Sequence, residues 1–485
     1  VQTCALPIFA QRSVHLIAFF CACAKRCVVY IIYFIAKGVK SMKKFAAFFS
    51  ALVLIIISVF ADISASAATY TPDVTLYSKA YMLINMDDDS YPVVAEKNQD
   101  EKMYPASLTK IVTAMVTIEN VQDLQQEVTV SKEAFNILLG TGAQVAGLKV
   151  GETLTVEQLL YLTMVHSACD ATEVLAEFVG GTRAAFVQKM NEYAKSLGCE
   201  NTNFVNPDGL HDENHYTTAS DMSKIALAAL KNPEFTKICN TVEYEYNGKK
   251  FYHTNLMLRK GYVSYYYKYA KGVKTGSTEE AGYCVITTAS KDGYNYLAVV
   301  LGAPVIDYNK DGYVEKCSFI DAATLFDWAF SQLKYSTVLE QSEVVDEVPV
   351  KNGKNADTVR LVAKDDVTAI VPVGLDKSTV IIKVQNKPEE IKAPVKKGDE
   401  ICTADIIYGD QVVATTTLVA ADDVELSTLL KVLNSIKAFF SLTAVKIVIA
   451  VVVIGLAAYI TLAVSNAKKR KARRRKALEE RENDE

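Results

Sequence analysis

An uninterrupted apolar run near the C-terminal end places the strongest constraint on how this chain can fold. Residues 447–464 contain no charged side chain, and about 18 apolar residues are close to the minimum for a helix that crosses a bilayer. Eight of the nine residues at 468–476 are basic, and basic segments beside a membrane span stay on the cytoplasmic side. We therefore expect a transmembrane helix over 447–464, followed by a basic cytoplasmic tail over 465–485.

A second apolar segment, near the N-terminal end, is typical of a secretory signal. Lys43 and Lys44 precede an apolar stretch, and small residues up to Ala67 provide a cleavage site. We expect residues 42–67 to be a signal peptide, which places the body of the protein outside the cytoplasm, anchored to the cell membrane by the C-terminal helix. Residues 1–41 are interpreted as an upstream translation artefact or, alternatively, as an extra apolar segment that forms a first membrane span.

Between these segments the composition is that of a globular protein with an acidic surface. Residues 68–443 hold 35 basic and 50 acidic side chains, a net charge of −15, which argues against nucleic acid as a partner. The same residues include six cysteines, scattered through a chain that is large enough to bury a core without disulfides. No disulfide pairing is predicted.

Hydrophobic periodicity predicts that residues 70–335 mix helices and strands. After Pro105 apolar residues recur every three or four positions, which predicts a helix with one buried face. Capping boxes that begin at Thr155 and at Asp170 predict two more helices, separated by a corner. This region is expected to form one α+β domain.

The second half of the exported region is richer in β-structure. Turn residues and alternating apolar residues predict strands over 273–275, 283–289 and 294–301. Over 338–425 short Val, Ile and Thr runs alternate with turn residues, which predicts a separate, smaller β-rich domain.

A serine and a lysine on the helix after Pro105 carry the first chemical signal. In Ser107-Leu-Thr-Lys110 the hydroxyl and the amine share one helical face, so a neutral amine can take the serine proton. The same S-x-x-K spacing occurs at Ser41, Ser331 and Ser465, so the motif alone is weak.

Two further segments make the combination specific. Ser167-Ala-Cys169 falls at the predicted corner between helices, and Lys274-Thr275-Gly276 precedes the predicted strand hairpin. The three segments resemble the S-x-x-K, S-x-N and K-T-G motifs of serine penicillin-binding proteins and β-lactamases. With the stretches at 203–210 and 215–220, the chain most resembles the D-alanyl-D-alanine carboxypeptidases among the low-molecular-mass penicillin-binding proteins.

The resemblance implies a fold and a reaction. The expected fold is α+β: a β-lactamase/transpeptidase-like catalytic domain, with an antiparallel sheet and helices, followed by a small all-β domain and the C-terminal transmembrane helix. The implied enzyme is a serine carboxypeptidase that removes the terminal D-Ala from peptidoglycan pentapeptide stems through an acyl-enzyme. Peptidoglycan stem peptides are then its substrates, β-lactam antibiotics its covalent inhibitors, and the bacterial cell membrane its site.

The resemblance also implies roles for individual residues. Ser107 is the expected nucleophile, Lys110 its base, and Ser167 a relay of the proton toward the departing D-Ala. Lys274 and Thr275 are expected to hold the terminal carboxylate of the substrate.

The implied oxyanion hole lies beside Gly276. It would consist of the backbone N–H groups of Ser107 and Ser277.

One position departs from the family pattern. Cys169 stands where the family usually has Asn, and a thiol replaces poorly an amide that both donates and accepts hydrogen bonds. Cys169 is interpreted either as a tolerated small apolar residue or as a change that weakens activity or shifts it toward transpeptidation.

Three alternatives to a carboxypeptidase follow. A transpeptidase would use the same acyl-enzyme. Because Cys169 departs from the family pattern, the protein could also be a catalytically weak, membrane-anchored binder of stem peptides. A class A β-lactamase would need a deacylating glutamate after the second motif, and the sequence offers none.

Metal sites and cofactors are not expected. His211 and His215 are four residues apart, but Pro207 and Gly209 predict a loop there. The segment that begins at Asp307 resembles a calcium loop, yet its twelfth position is Ser318 instead of Glu, so a turn is predicted.

Overall fold

The computed structural model describes residues 69–307 and 314–482. The predicted signal peptide at 42–67, the segment at 1–41 and residues 308–313 of the calcium-like loop lie outside the described residues.

The first part of the described chain alternates helices with short and long strands. Its strands are β1 (Ala80–Asn85), β2 (Val93–Lys97), β3 (Glu127–Thr129), β4 (Thr153–Thr155), β5 (Glu243–Tyr246), β6 (Lys249–Tyr252), β7 (Ala270–Thr278), β8 (Gly282–Lys291), β9 (Tyr294–Ala303), β10 (Val305–Ile306) and β11 (Glu315–Lys316). Its helices are α1 (Lys110–Asn120), α2 (Lys132–Asn136), α3 (Val156–Val165), α4 (Cys169–Gly180), α5 (Arg183–Ser196), α6 (Ala219–Leu230), α7 (Pro233–Cys239) and α8 (Cys317–Gln332).

A five-stranded antiparallel sheet separates two helical layers. Its strand order is β2-β1-β9-β8-β7, so the first long strand pairs with the last. Side chains alternate across it: Met82 and Val299 join the core that contains α1, whereas Leu83 and Val300 join the core that contains α8. Because both faces are covered, β9 is almost continuously apolar, and each large buried side chain contributes about 1.5–3 kcal/mol.

One predicted helix start is confirmed and another is wrong. Thr155 and Gln158 form the capping box of α3, each side chain bonding the other residue's backbone N–H. Asp170 is not a cap, because α4 begins at Cys169 after Ala168. The Asp170 carboxylate instead accepts three backbone N–H groups from residues 146–148, at 2.8–3.0 Å. Three backbone N–H donors stabilise a carboxylate more than a single capping hydrogen bond does.

The second part of the chain is built almost entirely of strands. They are β12 (Leu333–Leu339), β13 (Val344–Lys351), β14 (Thr358–Ala363), β15 (Val367–Pro372), β16 (Ile381–Gln385), β17 (Ile391–Lys392), β18 (Glu400–Tyr408) and β19 (Gln411–Ala420). Six form a sheet in the order β16-β18-β19-β14-β13-β17, and β12 pairs with β15. Val348, Leu361 and Leu418 belong to a core separate from those of the first part.

Two helices follow the β-rich part, α9 (Thr428–Ser441) and α10 (Thr443–Glu482). Within the described residues, Thr443–Arg475 of α10 is the helical stretch that is long and apolar enough to cross a membrane, and it contains the predicted span. The predicted fold class, an α+β domain with an antiparallel sheet, an all-β region and an apolar C-terminal helix, is thus confirmed.

Candidate active site

Ser107 lies on a single tight turn at the start of the helix predicted after Pro105. Residues Ala106–Thr109 form a 3₁₀ turn, and the α-helical geometry begins at Lys110. This turn brings Nζ of Lys110 within 3.0 Å of Oγ of Ser107. Ser107 is partly exposed and Lys110 is completely buried, so a substrate can reach the hydroxyl while the amine is shielded from water.

The amine of Lys110 has two other hydrogen-bond acceptors. They are the backbone carbonyl of Asp208, at 2.6 Å, and Sγ of Cys169, at 3.4 Å. A neutral amine has two N–H groups and one lone pair. When those two groups bond Asp208 and Cys169, the lone pair faces the hydroxyl of Ser107, which is the arrangement that a base requires.

Ser167 lies at the corner between α3 and α4. Its φ is +63°, a left-handed conformation that costs a non-glycine residue on the order of 1 kcal/mol or more. The corner turns the buried hydroxyl toward the sheet, where Oγ accepts a 3.0 Å hydrogen bond from Nζ of Lys274. The second and third motifs are therefore joined directly.

Lys274 is completely buried on β7. Its Nζ also donates to the backbone carbonyl of Thr275, at 2.8 Å. Burial, followed by the neighbouring charge of Lys110, lowers the pKa of Lys274 well below its ordinary value, and Cys169 opposes this shift. An anion bound beside Lys274 would favour its charged form again.

Thr275 and Ser277 are more accessible than Lys274 on the same strand. The Thr275 hydroxyl is partly exposed and donates to Oγ1 of Thr254, at 2.7 Å, while Ser277 is exposed. Thr254 was not singled out from the sequence, since its contact with Thr275 depends on folding.

Two glycines let other backbone segments touch the turn that carries Ser107. A Cβ atom at Gly276 would lie 2.7 Å from the carbonyl oxygen of Pro105, and one at Gly209 would lie 1.9 Å from that of Ala106. No side chain fits at such distances, and Gly209 also has a φ of +81°. Strand β7 and the loop before His211 therefore hold the turn that carries Ser107 from two sides.

His215 supports the same turn through Thr109. Its Nδ1 accepts the backbone N–H of Val205, so Nε2 carries the proton and donates to Oγ1 of Thr109, at 2.8 Å. The Thr109 hydroxyl donates in turn to the carbonyl of Ala106. Burial lowers the pKa of His215 to about 4, which keeps the ring neutral.

The structure places Cys169 next to Lys110, with Sγ 3.4 Å from Nζ. It is buried at the first turn of α4, and burial raises the pKa of its thiol, although the charge of Lys110 opposes the shift. The thiol is therefore neutral, and it accepts a hydrogen bond from Lys110 in the place of an amide oxygen.

The other sequence candidates lie elsewhere or have other partners. Ser331 is on α8 and Ser465 on α10, while Ser41 is outside the described residues. His211 faces Glu280, with Nδ1 3.7 Å from a carboxylate oxygen, so the two histidines of the loop do not converge.

Both parts of the chain resemble known proteins. A sequence profile of D-alanyl-D-alanine carboxypeptidases matches residues 66–305, and a profile of the C-terminal domain of penicillin-binding protein 5 matches residues 334–426. D-alanyl-D-alanine carboxypeptidase DacF of Bacillus subtilis is 32% identical over 359 residues, 72% of this chain and 87% of the relative. DacC of Escherichia coli is 30% identical over 356 residues, 72% and 84% of the two chains.

A solved structure also resembles this chain. Penicillin-binding protein 5 from Haemophilus influenzae superposes with a TM-score of 0.55 at 27% identity, covering 73% of this chain and 99% of that one.

Proposed function

The chain belongs to the D-alanyl-D-alanine carboxypeptidase family and is a serine carboxypeptidase that acts on peptidoglycan, and from this premise we propose that Ser107 is its nucleophile. The observation that carries the proposal is the 3.0 Å contact between Oγ of Ser107 and Nζ of the buried Lys110. Lys110 takes the proton of the hydroxyl as Oγ attacks the carbonyl carbon of the penultimate D-Ala.

The remaining residues complete the first half of the reaction. The backbone N–H groups of Ser107 and Ser277 stabilise the oxyanion of the tetrahedral intermediate. Ser167 receives the proton held by Lys110 and passes it to the nitrogen of the terminal D-Ala, which leaves as the C–N bond breaks; the ester to Ser107 remains and Lys110 is neutral again. Lys110 then deprotonates a water molecule, whose oxygen attacks the ester carbonyl, and it returns that proton to Oγ of Ser107 as the C–O bond breaks and the shortened stem peptide leaves.

Lys274 and Thr275 bind the terminal carboxylate of the substrate. Support comes from their position on β7, since Thr275 is partly exposed and the next residue, Gly276, packs against the turn that carries Ser107. Lys274 immediately precedes Thr275 on the same strand. The carboxylate raises the lowered pKa of Lys274, so the ammonium forms when the substrate is present. The β-lactam antibiotics that acylate Ser107 place their own carboxylate at the same residues.

The apolar C-terminal helix anchors the enzyme to the bacterial cell membrane, with the catalytic residues outside the cytoplasm. Helix α10 supplies the span, and α9 exposes Leu433, Ile436 and Phe440 among other apolar residues on one face. A helix with such a face is suited to the membrane interface. We assign residues 70–335 to the catalytic domain and 338–425 to a β-rich domain between it and the anchor.

Release of D-Ala tests the proposal. The full chain in detergent is incubated with a diacyl-D-Ala-D-Ala peptide and, separately, with fluorescent penicillin. Ser107→Ala is expected to abolish both D-Ala release and covalent labelling without altering thermal unfolding, because the hydroxyl is lost without leaving a core cavity. Ser331→Ala, in the S-x-x-K match on α8, is the matched control and should change neither. Labelling that persists in Ser107→Ala would refute the assignment.

A further inference from the structure

Two buried carboxyl groups, those of Glu173 and Asp208, lie near the backbone carbonyl that orients Lys110. Glu173 lies on α4, one turn after Cys169, and is 2% exposed, while Asp208 is 1% exposed. Asp208 is also the residue whose backbone carbonyl accepts the 2.6 Å hydrogen bond from Lys110. The roles assigned above use neither side chain.

The cluster has one cation for its two carboxyl groups. Nε of Arg183 donates to both oxygens of Glu173, at 3.0 and 3.2 Å, whereas Nη2 of Arg183 is 3.9 Å from Oδ2 of Asp208. Two ionised carboxylates would therefore leave an uncompensated negative charge in a buried place, which is costly.

One oxygen of Asp208 lacks a hydrogen-bond donor. Oδ1 accepts the backbone N–H of Leu210, but the buried Oδ2 has no hydrogen-bond partner. Glu173 and Asp208 both lie beside the guanidinium group of Arg183, and the neighbouring charge of Asp208 raises the pKa of Glu173. A protonated Glu173 supplies the missing donor and removes the excess charge in the same step.

We propose that Glu173 is a positioning residue, whose carboxyl proton is shared with Asp208 and fixes the backbone carbonyl that orients Lys110. This inference rests on the proposed role of Lys110 as the base. With the proton in place, the loop at 206–210 is held by a neutral acid and an ion pair. Without it, two anions repel each other beside Lys110, and the backbone carbonyl that orients Lys110 is no longer held in place.

The carboxyl group of Glu173 keeps its proton up to mildly alkaline pH. Burial, followed by the charge and the hydrogen bond of Asp208, raises the pKa of Glu173 to about 8, against the opposing charge of Arg183. Loss of the proton therefore falls within a pH range in which the enzyme can be assayed.

Other charged groups around α4 do not replace Glu173 in this role. From the adjacent loop His215 is neutral, and at the end of α3 burial lowers the pKa of His166. On α4 itself Asp170 is held by backbone N–H groups, and Glu177 bonds the hydroxyl of Ser131. The charged side chains of α2 and β3 are exposed, and α1 and α5 contribute Lys110 and Arg183.

The pH dependence of kcat/KM tests this role with the full chain. In the wild type, kcat/KM for the diacyl peptide is expected to fall by up to about tenfold between pH 7 and pH 9, as a group with a pKa near 8 ionises. Glu173→Gln supplies a donor that cannot ionise, so the alkaline midpoint should move up by about one unit or more. A purely structural side chain would not move that midpoint.

Two more variants keep the test decisive. Asp208→Asn removes the charge that raises the pKa of Glu173, so Glu173 no longer ionises near pH 8 and the alkaline transition should be lost from that range, which provides a second measurement if Glu173→Gln folds poorly. Glu177→Gln, one turn further along α4, is the matched control and should leave the profile unchanged. Coincident profiles for wild type, Glu173→Gln and Asp208→Asn overturn the inference. Ser107→Ala is assayed alongside, so that a failure of the proposed nucleophile is recognised separately.

Discussion

Lys274 and Ser167 are 107 positions apart in the chain, yet Nζ of Lys274 lies 3.0 Å from Oγ of Ser167. One residue belongs to the sheet and the other to a corner of the helical layer. The site therefore exists only where these two layers pack together, and changes that disturb this packing are expected to alter catalysis even when they leave each layer folded.

Replacing Cys169 with Asn tests what the thiol does. The amide oxygen can accept the bond from Lys110, and the amide N–H₂ can donate to the substrate's peptide group, which a thiol does weakly. A bond made in the transition state is worth about 1–3 kcal/mol, so D-Ala release should rise roughly 5- to 100-fold. Release is measured with and without an amine acceptor, which separates hydrolysis from transpeptidation. Cys402→Ser, in the β-rich part, is the control, and slower hydrolysis by Cys169→Asn would show that the thiol is adapted to its site.

Gly276→Ala should damage the site through the backbone. The new methyl group would lie 2.7 Å from the carbonyl oxygen of Pro105, so the turn that carries Ser107 has to move. We expect penicillin acylation to slow by at least about tenfold, with a loss of about 1–3 kcal/mol of unfolding free energy from overpacking. Gly261→Ala is the control, because no atom lies within 4 Å of a Cβ atom there. Equal acylation rates for the two variants would contradict the close packing described.

Acid should destabilise the protein through His215. Its pKa is lowered from 6.5 to about 4 in the folded state, so between these values the unfolded chain binds the proton and the folded one does not. Stability therefore rises with pH across this window and is lost as the pH falls from 6.5 to 4, by up to about 3 kcal/mol. Urea unfolding at several pH values should show a shallower dependence in His215→Gln than in wild type. If the unfolding free energy of His215→Gln depends on pH as steeply as that of the wild type, His215 is not the source of the acid destabilisation.

Two truncations separate the contributions of α9 and α10 to membrane binding. Removal of residues 447–485 takes away the apolar span but leaves the exposed apolar face of α9, so partial binding to vesicles should remain. Removal of residues 428–485 should yield a soluble protein. Both should retain penicillin labelling, because the described site residues all precede residue 280. Complete solubility of the protein that lacks only residues 447–485 would show that α9 does not bind the bilayer.

The part of the site that the sequence predicts depends on short-range geometry. Ser107 and Lys110 are three positions apart on one helical turn, and that spacing alone brings hydroxyl and amine together. Strand β7 and the corner at Ser167 could also be predicted, since turn residues and helix boundaries mark them. The departure at Cys169 was visible for the same reason, because it occupies a defined position in a short motif.

The residues that escaped prediction act across long distances in the chain. Asp208 contributes a backbone carbonyl to Lys110, 98 positions away. Every residue type has such a carbonyl, so the sequence does not reveal which one is used. The sequence argues against a metal site at His215 and predicts no individual role for it, whereas in the structure its ring bonds Thr109. Asp170 was mistaken for a cap because its sequence pattern is local, while its actual donors, at 146–148, come from a distant loop.

The pairing of β1 with β9 also determines when the enzyme becomes competent. Ala80 lies opposite Leu301, so β1 has no neighbour on one side until β9, more than 200 positions later in the chain, has joined the sheet. Contacts of such long range form slowly, and the incomplete sheet exposes an apolar edge in the meantime. Reactivity toward penicillin should therefore be acquired late in folding and in one step, when β9 enters the sheet.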